Sequence, residues 1–160
     1  VDATSFAVLA DIPTGLRPRN VAFTKDGRTG FVSNELGGTL TVFDPRSNQP
    51  LSTLKIDARV PLYYRPMGLV LSADDRWLFV STGRGGAIAV IDVAKRSLDH
   101  VIEKVGARPW GIAQSADGKY LYSANGSSDD LSIIDVARGE VQKKVHIGGL
   151  PWGVISGVPQ

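Results

Sequence analysis

Arg108-Pro109-Trp110-Gly111, Asp117-Gly118-Lys119, Leu121-Tyr122-Ser123-Ala124-Asn125 and Leu131-Ser132-Ile133-Ile134-Asp135 follow one another between residues 108 and 135. The stretch is one copy of a unit that recurs along the chain. Pro18, Pro66, Pro109 and Pro151 mark the same point in successive copies, at separations of 48, 43 and 42 residues. Asp26, Asp74 and Asp117 follow the first three prolines by 8 residues each, and Asp44, Asp92 and Asp135 follow them by 26. Fixed internal spacings repeated three times define a repeat protein, and the repeat has to be settled before any single residue is read.

Within a copy, short apolar runs alternate with turn signals about every ten residues, the pattern of short antiparallel strands. In the first copy the strands are expected at residues 20–24, Gly30–Asn34, Thr39–Asp44 and 50–56. Asp26-Gly27 forms the first hairpin tip, and Gly37-Gly38 turns into the third strand. Asp-Gly suits the positive φ that a tight hairpin needs. In the second copy Asp75 stands in place of the hairpin glycine, which Asp tolerates better than most residues. Four strands per unit of about 43 residues are the signature of a propeller blade. The expected fold is therefore all-β, a partial β-propeller of three complete blades with one leading and one trailing strand.

The expected boundaries are residues 1–14 for the last strand of a preceding blade, 15–57, 58–105 and 106–148 for the three blades, and 149–160 for the first strand of a closing blade. The gap from the third-strand Asp to the next Pro is 16, 22, 17 and 16 residues in turn, which locates an insertion after Asp44, at residues 57–64. Pro159 stands where the hairpin Asp of a fourth copy would fall.

The chain has 160 residues, 42% of them hydrophobic, enough for a real core. Its net charge of +2 is too small to mark a nucleic-acid binder by itself. With no cysteine there are no disulfides, thiolate metal sites or cysteine nucleophiles. No apolar run is long enough to span a bilayer, and no signal-peptide pattern is present. The first residue is Val1 rather than Met, which fits removal of a leader or of a preceding segment.

The Pro, Asp-Gly-Lys, Leu-Tyr-Ser-Ala-Asn and Ile-Ile-Asp anchors of the third copy resemble the YVTN family of bacterial β-propeller repeats. The segments around Trp110-Gly111 and Trp152-Gly153 are similar to the C-terminal half of propellers associated with PQQ-dependent alcohol catabolism. That resemblance implies a periplasmic or secreted, seven-bladed protein, accessory to quinoprotein dehydrogenases and with no established chemistry of its own. This chain is about half as long as such proteins, so the resemblance also raises self-association to close the ring.

Arg17, Arg65 and Arg108 stand just before the prolines, and Arg19, Met67, Trp110 and Trp152 just after them. In a propeller these loops ring one mouth of the channel, so Arg and Trp are expected to converge there. Guanidinium pairs with carboxylate or phosphate and stacks on aromatic faces. The expected ligand is a protein partner or a small anionic or planar molecule, held by Arg17, Arg19, Tyr64, Arg65, Arg84, Arg108, Trp110, Asn125 and Trp152. The same residues have a packing role open to them, with Trp between blades and Arg capping loop carbonyls. Asn34, Glu35, Asp129 and Asp130 fall in the loops between second and third strands, without the carboxylate spacing of a metal site. His100 and His146 fall on outer strands and form no Ser/His/Asp constellation. No cofactor or metal is expected. The sequence therefore reads as a non-catalytic binding or scaffold module. Two alternatives use the same rim: a single-stranded nucleic-acid binder and a lactonase-like propeller enzyme.

Overall fold

The computed structural model describes residues 1–56 and 64–157. Among them, three four-stranded antiparallel sheets follow one another along the chain. The first contains β1 (Pro18–Phe23), β2 (Gly30–Asn34), β3 (Thr39–Asp44) and β4 (Gln49–Lys55). The second contains β5 (Leu69–Leu71), β6 (Trp77–Ser81), β7 (Ile88–Asp92) and β8 (Ser97–Ile102). The third contains β9 (Pro109–Gln114), β10 (Tyr120–Asn125), β11 (Asp130–Asp135) and β12 (Glu140–His146). Strand order follows chain order in each sheet, the simple up-and-down blade expected from the repeat. None of the described helices is long and apolar enough to cross a membrane.

The repeated Asp of the first hairpin is explained by turn chemistry. Asp26 Oδ1 accepts from the Thr24 hydroxyl at 2.7 Å and the Arg28 amide at 2.9 Å. Asp74 does the same with Ser72 and Arg76, and Asp117 with Ser115 and Lys119. Each carboxylate replaces hydrogen bonds that the tight turn takes from the backbone. At the tips Gly27, Asp75 and Gly118 have φ of 65°, 57° and 73°, so Asp75 adopts the left-handed conformation that its position requires.

Blade packing follows from the two-residue period of the strands. Leu78, Val80, Ala89 and Ile91 of the middle blade face Phe31, Leu40, Val42, Leu54 and Ile56 of the first. The alternate residues Phe79, Ile88 and Val90 face Ile112, Leu121 and Ile134 of the third. A strand covered on both faces is apolar at every position, which is why β6 and β7 carry almost no polar residue. An irregularity recurs between Val42 and Phe43, Val90 and Ile91, and Ile133 and Ile134, where the third strand meets the fourth. Such bulges add twist to an outer strand.

Residues 4–12 form no strand. Asp2 closes a turn over Thr4 and Ser5 instead. Residues 151–156 likewise form no ladder, although they run beside β9, where Gly111 N–H donates to Trp152 O and the Ser156 hydroxyl to Gln114 O. Both stretches have strand-like alternation, but a strand needs a hydrogen-bonding neighbour, and the described residues offer neither one a full edge. The inserted residues 57–63 and Pro159 lie outside the described residues, and only Tyr64 of the insertion is within them.

Candidate functional site

β1, β5 and β9 are the innermost strands, and the 151–156 segment continues their series. They approach one another through glycines. Gly68 N–H donates to Trp110 O at 3.1 Å, and Gly111 N–H donates to Trp152 O at 3.1 Å. A Cβ on Gly68 would lie 2.5 Å from Trp110 O, and one on Gly111 would lie 2.6 Å from Gly153 Cα. Buried serines add a second tie between blades: Ser33 donates its hydroxyl to Met67 O, and Ser81 to Trp110 O. Ala124 takes this position in the third blade.

Between these strands lies a cavity of about 300 Å³, lined by Arg19, Asn20, Met67, Trp110, Trp152 and the backbone of the inner glycines among others. Of the expected site residues, the fold thus brings Arg19, Trp110 and Trp152 together around one space. The two indoles are in contact, with centroids 4.0 Å apart and planes inclined by 46°. The Arg108 guanidinium lies 5.0 Å from the Trp110 ring on the rim side, within the range of a cation–π interaction. Trp152 remains 62% exposed.

The other expected residues are placed differently. Arg17 lies on the rim, its Nε 3.2 Å from Glu35 Oε2. Arg19 Nε–H donates to the same carboxylate oxygen, and the Glu35 side chain is only 12% exposed between the two arginines. Arg84 is exposed in a single 3-10 turn, Gly83–Gly85. Arg65 donates its backbone N–H to Thr82 O. Tyr64 rests on Gly85, where a Cβ would meet its ring at 2.1 Å, and packs against the core between the first two blades. Burial, helped by the charge of Glu103, raises its phenol above the ordinary tyrosine range. Asn125 is fully buried, and its amide donates to Asp130 and Ser132 while its Oδ1 accepts from Ser123. It braces the blade rather than facing the cavity.

The sequence pointed to neither Asn20 as a lining residue nor Glu35 as the clamp on two arginines. The spacing that relates Arg19 to Trp110 was the available signal for Glu35, because the same spacing from Glu35 reaches the residue beneath Trp110. Arg17 and Arg108 have φ of 58°, and Leu150 has φ of 53°. All three precede proline, where the left-handed region is unfavourable. The conformation is maintained by the neighbouring loop: Glu35 N–H donates to Arg17 O and Gly126 N–H to Arg108 O. Among the described residues, no group of three or more His, Asp or Glu side chains could hold a metal ion.

Successive four-stranded blades whose inner strands run beside one another define a partial β-propeller. The chain belongs to the lactonase family of seven-bladed β-propellers, whose model matches residues 3–148. Similar solved structures include the periplasmic gluconolactonase PpgL of Pseudomonas aeruginosa, at 28% identity and TM-score 0.72 over 88% of this chain and 42% of that one. Hydrazine synthase of Kuenenia stuttgartiensis matches at 24% identity and TM-score 0.75, over 94% of this chain and 41% of that one. A candidate 6-phosphogluconolactonase of Bacteroides fragilis matches at 22% and 0.73, over 90% and 43%. The chain spans less than half the length of each. No curated protein sequence matches it.

These findings correct the reading of a non-catalytic binding or scaffold module. The scarcity of histidine and of rim carboxylates pointed away from an enzyme, yet the family is one of lactonases, and a gluconolactonase is among the similar structures. The propeller fold expected from the repeat is the fold observed.

Proposed function

We propose that the chain forms part of a propeller lactonase and that the cavity between β1, β5, β9 and the 151–156 segment is where a sugar lactone binds. Membership of the lactonase family carries the reading, together with the convergence of Arg19, Asn20, Trp110 and Trp152 on one space of about 300 Å³. Hydrolysis adds the oxygen of water to the lactone carbonyl carbon and breaks the ring ester C–O bond. The ring oxygen leaves as a hydroxyl, and the product is the open-chain acid. Negative charge develops on the carbonyl oxygen during the attack, and the guanidinium of Arg19, held by Glu35, is a donor suited to stabilise it. The indoles of Trp110 and Trp152 offer an apolar face to the C–H groups of a sugar ring, and the Asn20 amide offers hydrogen bonds to its hydroxyls.

The resemblance to PQQ-associated propellers fits the same reading. Two-electron oxidation of a cyclic hemiacetal yields a lactone, so a lactonase beside a quinoprotein dehydrogenase would open that enzyme's product. The periplasmic gluconolactonase among the similar structures favours the same compartment.

The test is to incubate the purified protein with a panel of sugar lactones and trap the remaining lactone with hydroxylamine at intervals. Loss of at least one lactone faster than in buffer, reduced on Trp110→Ala replacement, is the expected result. Decay at the buffer rate for every lactone would refute the reading.

A further inference from the structure

At the strand ends opposite Trp110 and Trp152, the seam between the first two blades holds a second cleft, of about 310 Å³. Asp26 and Thr29 of the first blade line it, with Asp75 and, from the turn between β7 and β8, Val93, Ala94 and Arg96. The repeat supplies an internal comparison, because the same positions at the seam between the second and third blades hold Asp74, Trp77, Gly118, Val136, Ala137 and Gly139. Asp, Val and Ala recur, whereas three positions change. Trp77 and Val136 pack on the core at their seam, and Thr29, in the place of the indole, leaves the first seam open. Asp75 and Arg96 replace two glycines and hold φ of 57° and 52°, a conformation that costs a residue with a Cβ more than it costs glycine. The three departures from the repeat converge on one space: one opens it, and two place opposite charges in it.

We propose that this cleft binds a small apolar α-amino acid in its zwitterionic form. Two carboxylates and one guanidinium line the cleft, and among the described residues Arg96 pairs with neither carboxylate. Opposite charges that share a space without meeting are complementary to a ligand that carries both. The carboxylates are anchored by their own turns. Asp26 Oδ1 accepts from the Thr24 hydroxyl and the Arg28 amide, and Asp75 Oδ2 accepts from the Lys25 amide at 2.6 Å. Each keeps its second oxygen. Asp26 Oδ2 has the exposed Arg28 guanidinium 3.8 Å away, and Asp75 Oδ1 has no partner among the described residues. Lys25 Nζ is engaged by Ala73 O instead. An ammonium group has three donors to share among these oxygens and the Thr29 hydroxyl. The guanidinium offers a carboxylate two parallel N–H groups, and Val93 and Ala94 give the side chain of the ligand an apolar wall. Arg19 and Asn20 begin β1 whereas Thr24 follows its end, so the length of an inner strand separates this cleft from the tryptophan-lined cavity. The proposal therefore stands apart from the lactonase reading.

The test is calorimetric titration of the purified protein with L-alanine, L-valine and L-leucine, at low salt where charge recognition is strongest. The expected result is saturable binding of at least one of them, weaker by about tenfold or more for its N-acetyl derivative and for its methyl ester, as loss of a charged hydrogen-bonded contact implies. The first derivative lacks the ammonium and the second the carboxylate. Three variants copy residues that the repeat already accommodates at the next seam. Arg96→Gly should weaken the amino acid about tenfold and leave the affinity of the ester unchanged, because the ester has no carboxylate to lose. Asp75→Gly should weaken the amino acid and the ester alike, and Thr29→Trp should abolish binding by filling the cleft. Circular dichroism checks the fold of each; if Asp75→Gly, which also gives up the bond from Lys25, does not fold, Arg96→Gly and Thr29→Trp carry the comparison. Absence of binding for all three amino acids overturns the proposal, as does a derivative that binds as tightly as its parent or binding undiminished in folded Thr29→Trp. Binding of calcium chloride in place of the amino acids, lost in Asp75→Gly and kept in Arg96→Gly, overturns it in favour of a cation site.

Discussion

Replacing Gly68 by Ala perturbs the closest approach between two blades. The added Cβ would lie 2.5 Å from Trp110 O and 3.2 Å from Ile112 Cγ2. The first obstacle is backbone, which cannot rotate away, so β5 and β9 must separate or the residue must shift along its strand. Separation would lengthen the 3.1 Å hydrogen bond from Gly68 N–H to Trp110 O and loosen Ile112 from the core between the second and third blades. Overpacking of this kind costs about 1–3 kcal/mol, and a lost hydrogen bond about 0.5–1.5 kcal/mol. The expected destabilisation is about 2–4 kcal/mol in urea titrations followed by tryptophan fluorescence, with Tm lower by about 5–15 °C. Gly153→Ala is the control, because nothing lies within 4 Å of its added Cβ, and its effect should stay within about 0.5 kcal/mol. A Gly68→Ala protein as stable as this control would refute the close blade contact and the cavity geometry built on it.

Arg96 has φ of 52° in the turn where the third blade has Gly139 at 66°, so Arg96→Gly should stabilise the chain by about 0.5–1 kcal/mol in the same titration. Among the described residues Asn34 Oδ1 is buried without a partner, whereas its counterpart on Asn125 accepts from Ser123, a position held by Val32 in the first blade. Val32→Ser should therefore leave a more stable protein than Val32→Ala, measured by urea midpoint. Hydrogen bonds from Thr24, Ser72 and Ser115 are the largest cause holding Asp26, Asp74 and Asp117 below the ordinary Asp value of 3.8. Groups whose pKa is depressed by folding contribute stability above the unfolded value and lose it as pH falls through the folded one. The urea midpoint should accordingly be insensitive to these groups near neutrality and fall below about pH 4, less steeply in Asp74→Asn.

The blades were legible because their causes are local. Pro109, Asp117, Gly118 and Asp135 are fixed by turn chemistry that every copy repeats, and Asp75 showed the same turn with a different residue. The ends were less legible: residues 4–12 and 151–156 alternate like strands, but whether they pair depends on a neighbour and not on their own pattern. The position after each proline marked Arg19, Trp110 and Trp152, which line one cavity. Asn125 carried the same polar character as a ligand-binding residue, yet its amide is consumed by Asp130 and Ser132 inside the blade. Glu35 went unassigned because its role depends on contact across the strand pair, where separations of 16 and 18 residues from Arg19 and Arg17 carry no motif. Function was the least legible, since no spacing in the chain separates a binding propeller from a member of the lactonase family, a distinction that the family match made.

The most direct measurement is the opening of glucono-1,5-lactone by the purified protein, followed in a pH-stat as acid release above the spontaneous rate. A saturable acceleration that falls at least tenfold in Trp110→Ala, with folding retained, is the predicted result. Acid release at the buffer rate for glucono-1,5-lactone and for the other sugar lactones would contradict the assignment of this channel mouth to lactone hydrolysis.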